Sequence, residues 1–162
     1  MHTKISNGVI DRRSALGCLI VALATPAVFV RSAHGVEEAA QPSAAYLAAY
    51  GKIVGQRKPD ERAVRLDLPE IAENGNIVPY RIDVDHPMEE ASYVRAVHLL
   101  STANPQPHVA TFHLTLLSGS AAVSGRMRLA KTQEVVVLAE LNDGRLLMGR
   151  RVIEVTIGGC EN

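Results

Sequence analysis

The chain has 162 residues, with 17 Lys and Arg against 17 Asp and Glu, so its formal net charge at pH 7 is zero. This balance argues against a nucleic-acid-binding protein, and the length suits one domain behind a short leader. Two cysteines and six histidines are the residues best able to carry chemistry.

Residues 1–35 have the features of a secretory signal peptide. The pair Arg12 and Arg13 precedes an apolar run at 15–24, and Ala33-His34-Gly35 offers small residues to an export peptidase. The apolar run is too short to span a bilayer, and no second such run follows, so we expect no membrane insertion. Because adjacent arginines are typical of the twin-arginine route, the sequence predicts export to the periplasm.

Removing residues 1–35 leaves 127 residues, with 13 basic against 16 acidic side chains, a net charge of −3, and one cysteine, Cys160. Most of the apolar run of the leader follows Cys18 instead of preceding it, which disfavours a lipoprotein cysteine. An odd cysteine in an oxidising compartment predicts an intermolecular bond or a reactive thiol. Because Gly158 and Gly159 come directly before it, we expect residues 158–162 to form a flexible, cysteine-bearing arm.

Residues 36–157 are predicted to form one domain that begins with a short helix. Ser43 is a suitable N-cap, and apolar residues at helical spacing predict a helix over about 43–54. Gly55 is a plausible end for it. We expect this helix to pack over an edge of the domain.

After the helix the apolar residues recur with the period of β-strands. Seven strands are predicted, at 64–68, 78–84, 93–100, 110–116, 121–129, 134–141 and 145–157. The third is apolar on both faces and is therefore expected to be central. Short strands with frequent turns and no second helix are typical of an all-β protein, and the predicted fold is an immunoglobulin-like antiparallel β-sandwich.

The other chemistry-bearing residues do not form a recognisable site. Four histidines fall on predicted strands or loops: His86, His98, His108 and His113. Their spacing does not match a metal-binding motif, so no metal and no cofactor are predicted. An acidic cluster surrounds the turn near residue 86 and lacks the spacing of a calcium loop: Asp83, Asp85, Glu89 and Glu90. No base is evident beside Cys160, and the neighbouring Glu161 disfavours its thiolate, which argues against catalysis by this thiol.

Several blocks of the sequence resemble the SoxY family, the sulfur-compound carriers of the bacterial thiosulfate-oxidising (Sox) system. The longest is LDLPEIAENGNIVP at 66–79. The others are Asn104-Pro105, VATF at 109–112, LSG at 117–119, RMRLA at 126–130 and Gly158-Gly159-Cys160. Together they cover roughly residues 43–162.

This resemblance implies that the chain is a carrier and not an enzyme. It implies that Cys160 holds thiosulfate-derived sulfur covalently and that Gly158 and Gly159 form its flexible arm. It also implies a heterodimer with a SoxZ-like subunit, and visits to the c-type cytochrome and hydrolase enzymes of the Sox system.

One feature departs from the family pattern. Glu161 and Asn162 stand where the family has two further glycines, which predicts a specialised or degenerate carrier. The alternative function is a non-catalytic β-sandwich binding or structural subunit whose cysteine forms an intermolecular disulfide.

Overall fold

The computed structural model describes residues 39–159. The predicted leader at 1–35 lies outside this range, as do Cys160, Glu161 and Asn162. None of the helices in the described part is long and apolar enough to cross a membrane.

The predicted helix is confirmed as α1, Ala44–Val54. The Ser43 side chain accepts a hydrogen bond from the Tyr46 amide at 3.1 Å, which satisfies one of the free amides of the first turn. Gly55 ends the helix with a φ of 59°, a conformation that glycine adopts without strain.

Eight strands follow the helix in the described chain. They are β1 (Val64–Asp67), β2 (Ile71–Ala72), β3 (Val78–Val84), β4 (Val94–Ser101), β5 (His108–His113), β6 (Ala122–Met127), β7 (Gln133–Leu141) and β8 (Leu146–Val155). The sequence predicted seven, because the two residues of β2 are too few to show a period. Strand β5 ends earlier than predicted, since Leu116–Ser118 form a 3-10 helix.

The strands form two sheets, which confirms the all-β sandwich. One sheet has the order β1-β3-β6 and the other the order β2-β8-β7-β4-β5. The pairing is antiparallel as predicted except at one edge, where β2 runs parallel to β8 through Ile71 opposite Glu154 and Ala72 opposite Val155. This parallel pair brings the loop after β2 beside the end of β8.

The main core lies between the two sheets. Strand β7, in the middle of the larger sheet, turns Val135, Val137 and Ala139 toward this core, and all three are fully buried. Strand β4 is an inner strand between β7 and β5, in agreement with its apolar pattern.

Helix α1 covers the other face of the larger sheet, not an edge as predicted. Tyr46 and Val54 pack with Leu100, Leu138 and Met148 in a second apolar cluster. Both faces of β7 are covered, so its odd and its even positions are both apolar. The sequence pattern therefore does not show which face packs against the helix.

Candidate functional site at the C-terminal glycines

The described chain ends at Gly159, directly before the predicted sulfur-carrying residue, Cys160. Backbone pairing continues after β8 ends. The Thr156 amide donates to the carbonyl of Ala72 at 3.0 Å, and the carbonyl of Ile157 accepts from the Gly75 amide at 2.7 Å. The Gly159 amide then donates to the carbonyl of Leu129 at 2.9 Å. The last residues before the cysteine therefore lie on the domain.

Gly158 and Gly159 pack against main-chain atoms so closely that a side chain has no room. A Cβ on Gly158 would overlap the carbonyl oxygen of Ala130, and one on Gly159 would overlap the backbone at Gly75. Both separations are below the 3.0 Å that real Cβ atoms essentially never show. We call this surface, made by Gly75, Leu129 and Ala130, the glycine seat.

The sequence predicts an arm that leaves the domain at Gly158. In the structure, Gly158 and Gly159 instead lie against the domain. The flexibility of residues 158–162 in solution stays a prediction, but the structure gives Gly158 and Gly159 a defined position on the domain.

A buried polar network holds the carbonyl side of the glycine seat in place. The Asn104 side chain donates to the carbonyl of Arg128 at 2.8 Å and accepts from the Ala130 amide at 3.0 Å. Gln133, fully buried, donates to the Asn104 side-chain oxygen at 2.8 Å. Buried amides that are fully hydrogen-bonded fix one conformation, so the Leu129 and Ala130 carbonyls point in a fixed direction.

Sequence reasoning missed most of the glycine seat. Gly75 was interpreted only as part of a break between strands, and Leu129 and Ala130 contribute carbonyl groups, which no side-chain pattern reveals. Three blocks of the family resemblance nevertheless meet here: the one containing Gly75, the one beginning at Asn104 and the one at 126–130. That convergence was the available signal.

Exposed apolar side chains surround this end of the domain. Ile157 is 64% exposed, Ile77 60% and Ile71 55%. Ile157 adjoins the glycine seat because its carbonyl accepts from the Gly75 amide. Ile77 follows Gly75 by two residues in the chain. Bulky side chains thus flank a seat that itself consists of backbone.

The predicted histidine candidates lie elsewhere. His98 on β4 and His108 at the start of β5 both bond the Thr111 hydroxyl, at 2.9 and 2.8 Å. His86 bonds the Ser92 hydroxyl at 2.8 Å. The atoms that a Cβ on Gly158 or Gly159 would meet first belong to Ala130, Gly75 and Asn76.

His98 belongs to a charged cluster on the outer face of the larger sheet. Its Nε2 atom is buried without a hydrogen-bond partner and lies 3.9 Å from Glu140. Burial lowers the pKa of His98, and the Glu140 carboxylate opposes this only in part. Glu140 receives Arg57 at 2.5 Å and Arg95 at 2.8 Å. Burial alone would raise the pKa of Glu140, but these two guanidinium groups hold it below its ordinary value.

Metal ligation is not seen among residues 39–159, where no group of three or more His, Cys, Asp or Glu side chains could hold an ion. The acidic residues near the turn after β3 are largely solvated. Asp83 makes a 3.9 Å ion pair with Arg81, and both side chains are substantially exposed.

Comparison with known proteins assigns the fold and the family. The family model for sulfur oxidation protein SoxY matches residues 50–160. The solved structure of the sulfur carrier protein SoxY from Chlorobium limicola f. thiosulfatophilum is 34% identical, with a TM-score of 0.57, and the match covers 71% of this chain and 100% of that one. No curated protein matches the sequence.

Two superoxide reductases share the fold at low identity. The enzyme (neelaredoxin) from Ignicoccus hospitalis is 19% identical with a TM-score of 0.52, covering 58% of this chain and 80% of that one. The one from Nanoarchaeum equitans is 12% identical with a TM-score of 0.50, covering 60% and 99%. These two likenesses concern the fold alone. Because the family match spans well over half of the sequence, the chain belongs to the SoxY family of sulfur oxidation proteins.

Proposed function

We propose that this protein is a periplasmic carrier that holds thiosulfate-derived sulfur covalently on Cys160 and presents it to sulfur-oxidising enzymes. The observation that carries the proposal is the SoxY family match, which extends through Gly158 and Gly159 to Cys160 itself. The related protein from Chlorobium is named a sulfur carrier. The twin-arginine leader predicted at 1–35 accounts for the periplasmic location.

The chemistry of loading explains why a carrier needs partners. Joining a thiol sulfur to the outer sulfur of thiosulfate forms one S–S bond and releases one proton and two electrons. An acceptor must take those electrons, which is the role we assign to a c-type cytochrome partner. A hydrolase then removes the sulfonate group as sulfate, and the remaining sulfur stays on Cys160.

The protein in this proposal is a carrier and not a catalyst. A thiol nucleophile needs a neighbouring base, and the sequence offers no evident base beside Cys160. The thiol would instead be activated within the partner's active site. We also assign it a SoxZ-like partner subunit in a heterodimer, and an immunoglobulin-like topology for the sandwich.

Gly158 and Gly159 favour a carrier over the alternative, a structural subunit with a permanent intermolecular disulfide. A residue that serves only a static disulfide gains nothing from two preceding glycines that lack room for any side chain. The departure at Glu161 and Asn162 is the feature that the alternative accommodates better.

Intact-mass measurement of the periplasmic protein from cells grown with and without thiosulfate tests the proposal. The carrier gains whole sulfur atoms or sulfonate groups with thiosulfate, and reductant removes them. A fixed disulfide-linked mass that does not depend on thiosulfate would establish the structural alternative instead. An unmodified monomer under both conditions would contradict both functions.

A further inference from the structure

We propose that Gly75 is a positioning residue for the carrier thiol, holding the arm in a docked position that it leaves when the thiol is delivered. The identity of the thiol's cargo rests on the proposed function, whereas the docking rests on the structure of residues 72–159 alone.

Gly75 contacts both the chain that leads into the arm and the body residue that the arm binds. Its amide donates to the carbonyl of Ile157 at 2.7 Å, and its carbonyl accepts from the Leu129 amide at 2.8 Å. The Leu129 carbonyl in turn accepts from the Gly159 amide at 2.9 Å. These three bonds link both ends of the segment 157–159 to one loop glycine and one fixed carbonyl.

Glycine is required at position 75 for space and not for backbone conformation. Among the described glycines, those with positive φ are Gly55, Gly119 and Gly144, so Gly75 adopts a conformation open to any residue. A Cβ there would overlap the Leu129 carbonyl oxygen and would lie 2.9 Å from the Gly159 nitrogen and from a Val155 methyl group. A side chain at 75 therefore cannot be accommodated while Leu129, Val155 and Gly159 all keep their positions.

The two described residues of the arm, Gly158 and Gly159, dock without any side chain. Gly158 and Gly159 present only main-chain atoms. On the domain they contact main-chain carbonyls that the hydrogen bonds of Asn104 hold in place. A seat of this kind is compatible with a thin arm that must also enter a narrow cleft, because docking adds no bulk to the segment that travels.

Three alanine variants of the exported chain separate docking from folding. Gly75→Ala blocks the body side of the seat. Gly158→Ala blocks the arm side, where the added Cβ meets the Ala130 carbonyl. Gly51→Ala is the matched control, because an added Cβ there meets no atom within 4 Å. If Gly75→Ala disturbs folding through Val155, Gly158→Ala decides the question.

Amide hydrogen exchange at Gly159 is the first measurement. In the wild type and in Gly51→Ala we expect exchange at least about tenfold slower than in a peptide of residues 152–162, since the amide is hydrogen-bonded. In Gly75→Ala and Gly158→Ala we expect the peptide rate, with the amides of β7 still protected. Exchange at the peptide rate in the wild type would overturn the proposal.

The alkylation rate of Cys160, followed by intact mass in fully reduced protein, is the second measurement. A purely structural glycine would not change it. Release of the arm in Gly75→Ala or Gly158→Ala should raise the rate by about threefold or more, toward that of the free peptide. Lost protection at Gly159 with an unchanged alkylation rate would refute the positioning role.

Both measurements use protein without sulfur cargo. A docked arm on a protein that never acquires sulfur would contradict only the proposed function. A sulfur-loaded protein with an undocked arm would contradict only this inference.

Discussion

The interior of the sandwich and the glycine seat are both closely packed, but side chains make the contacts in the interior and backbone atoms make them at the seat. Between the sheets, side chains such as Val137 and Ile153 are fully buried, and stability comes from the apolar area they remove from water. At the glycine seat the contacts are backbone to backbone, and Gly158 and Gly159 contribute no side chain at all. The first arrangement depends on side-chain burial, and the second is a specific contact to which Gly158 and Gly159 bring main-chain atoms alone.

The largest effect on stability is expected from the interior. Ile153→Ala removes a fully buried side chain from the core and should lower the free energy of unfolding by about 2–5 kcal/mol. Val152→Ala is the matched control, since Val152 adjoins Ile153 in β8 but is 50% exposed, and the change should alter stability by less than about 0.5 kcal/mol. Urea unfolding measures both. Equal effects of the two changes would mean that the side-chain core is assigned wrongly.

A smaller and pH-dependent effect is expected at the charged cluster outside the core. Glu140→Gln leaves Arg57 and Arg95 without their carboxylate and should cost about 1–3 kcal/mol at neutral pH. The folded pKa of Glu140 is lowered, so its stabilisation is complete above the ordinary value of 4.5 and is lost as the pH falls through the folded pKa.

The wild type and Glu140→Gln should therefore converge in stability in acid, as measured by unfolding at a series of pH values. Glu73→Gln, which changes an exposed loop carboxylate, is the control and should follow the wild type throughout. A difference between wild type and Glu140→Gln that persists undiminished at low pH would contradict the ion-pair explanation.

The smallest effect is expected at the end of the arm. Replacing Glu161 and Asn162 together with glycine removes one charge beside the thiol and restores the pattern of the family. One charge in water is worth about 1 kcal/mol, so sulfur loading with the proposed c-type cytochrome partner should accelerate tenfold or less. Single-turnover loading rates measure this, with Glu161→Gln separating charge from bulk. A larger gain would indicate a steric fit inside the partner's cleft, and no gain would show that these two residues are not a specialisation.

The sequence was sufficient for the parts of the molecule that side chains define. The Ser43 cap and the apolar spacing located α1, and alternation located most of the strands. It failed for β2, whose two residues are too short for a period, and for the outer face of β7, where burial on both sides removes the alternation. It also failed at the glycine seat, because Leu129 and Ala130 contribute carbonyls and the requirement at Gly75 is for space. Contacts between backbones leave no trace in composition or period.

The central claim, that sulfur is carried on Cys160, is tested most directly by comparing Cys160→Ser with the wild type from thiosulfate-grown cells. Mass analysis of the C-terminal peptide should locate reducible sulfur on Cys160 in the wild type and none in the variant. Because the change adds no bulk and the last strand, β8, ends at Val155, the two proteins should unfold at the same urea concentration. Sulfur that persists in Cys160→Ser, or its absence from Cys160 in the wild type, would contradict the account.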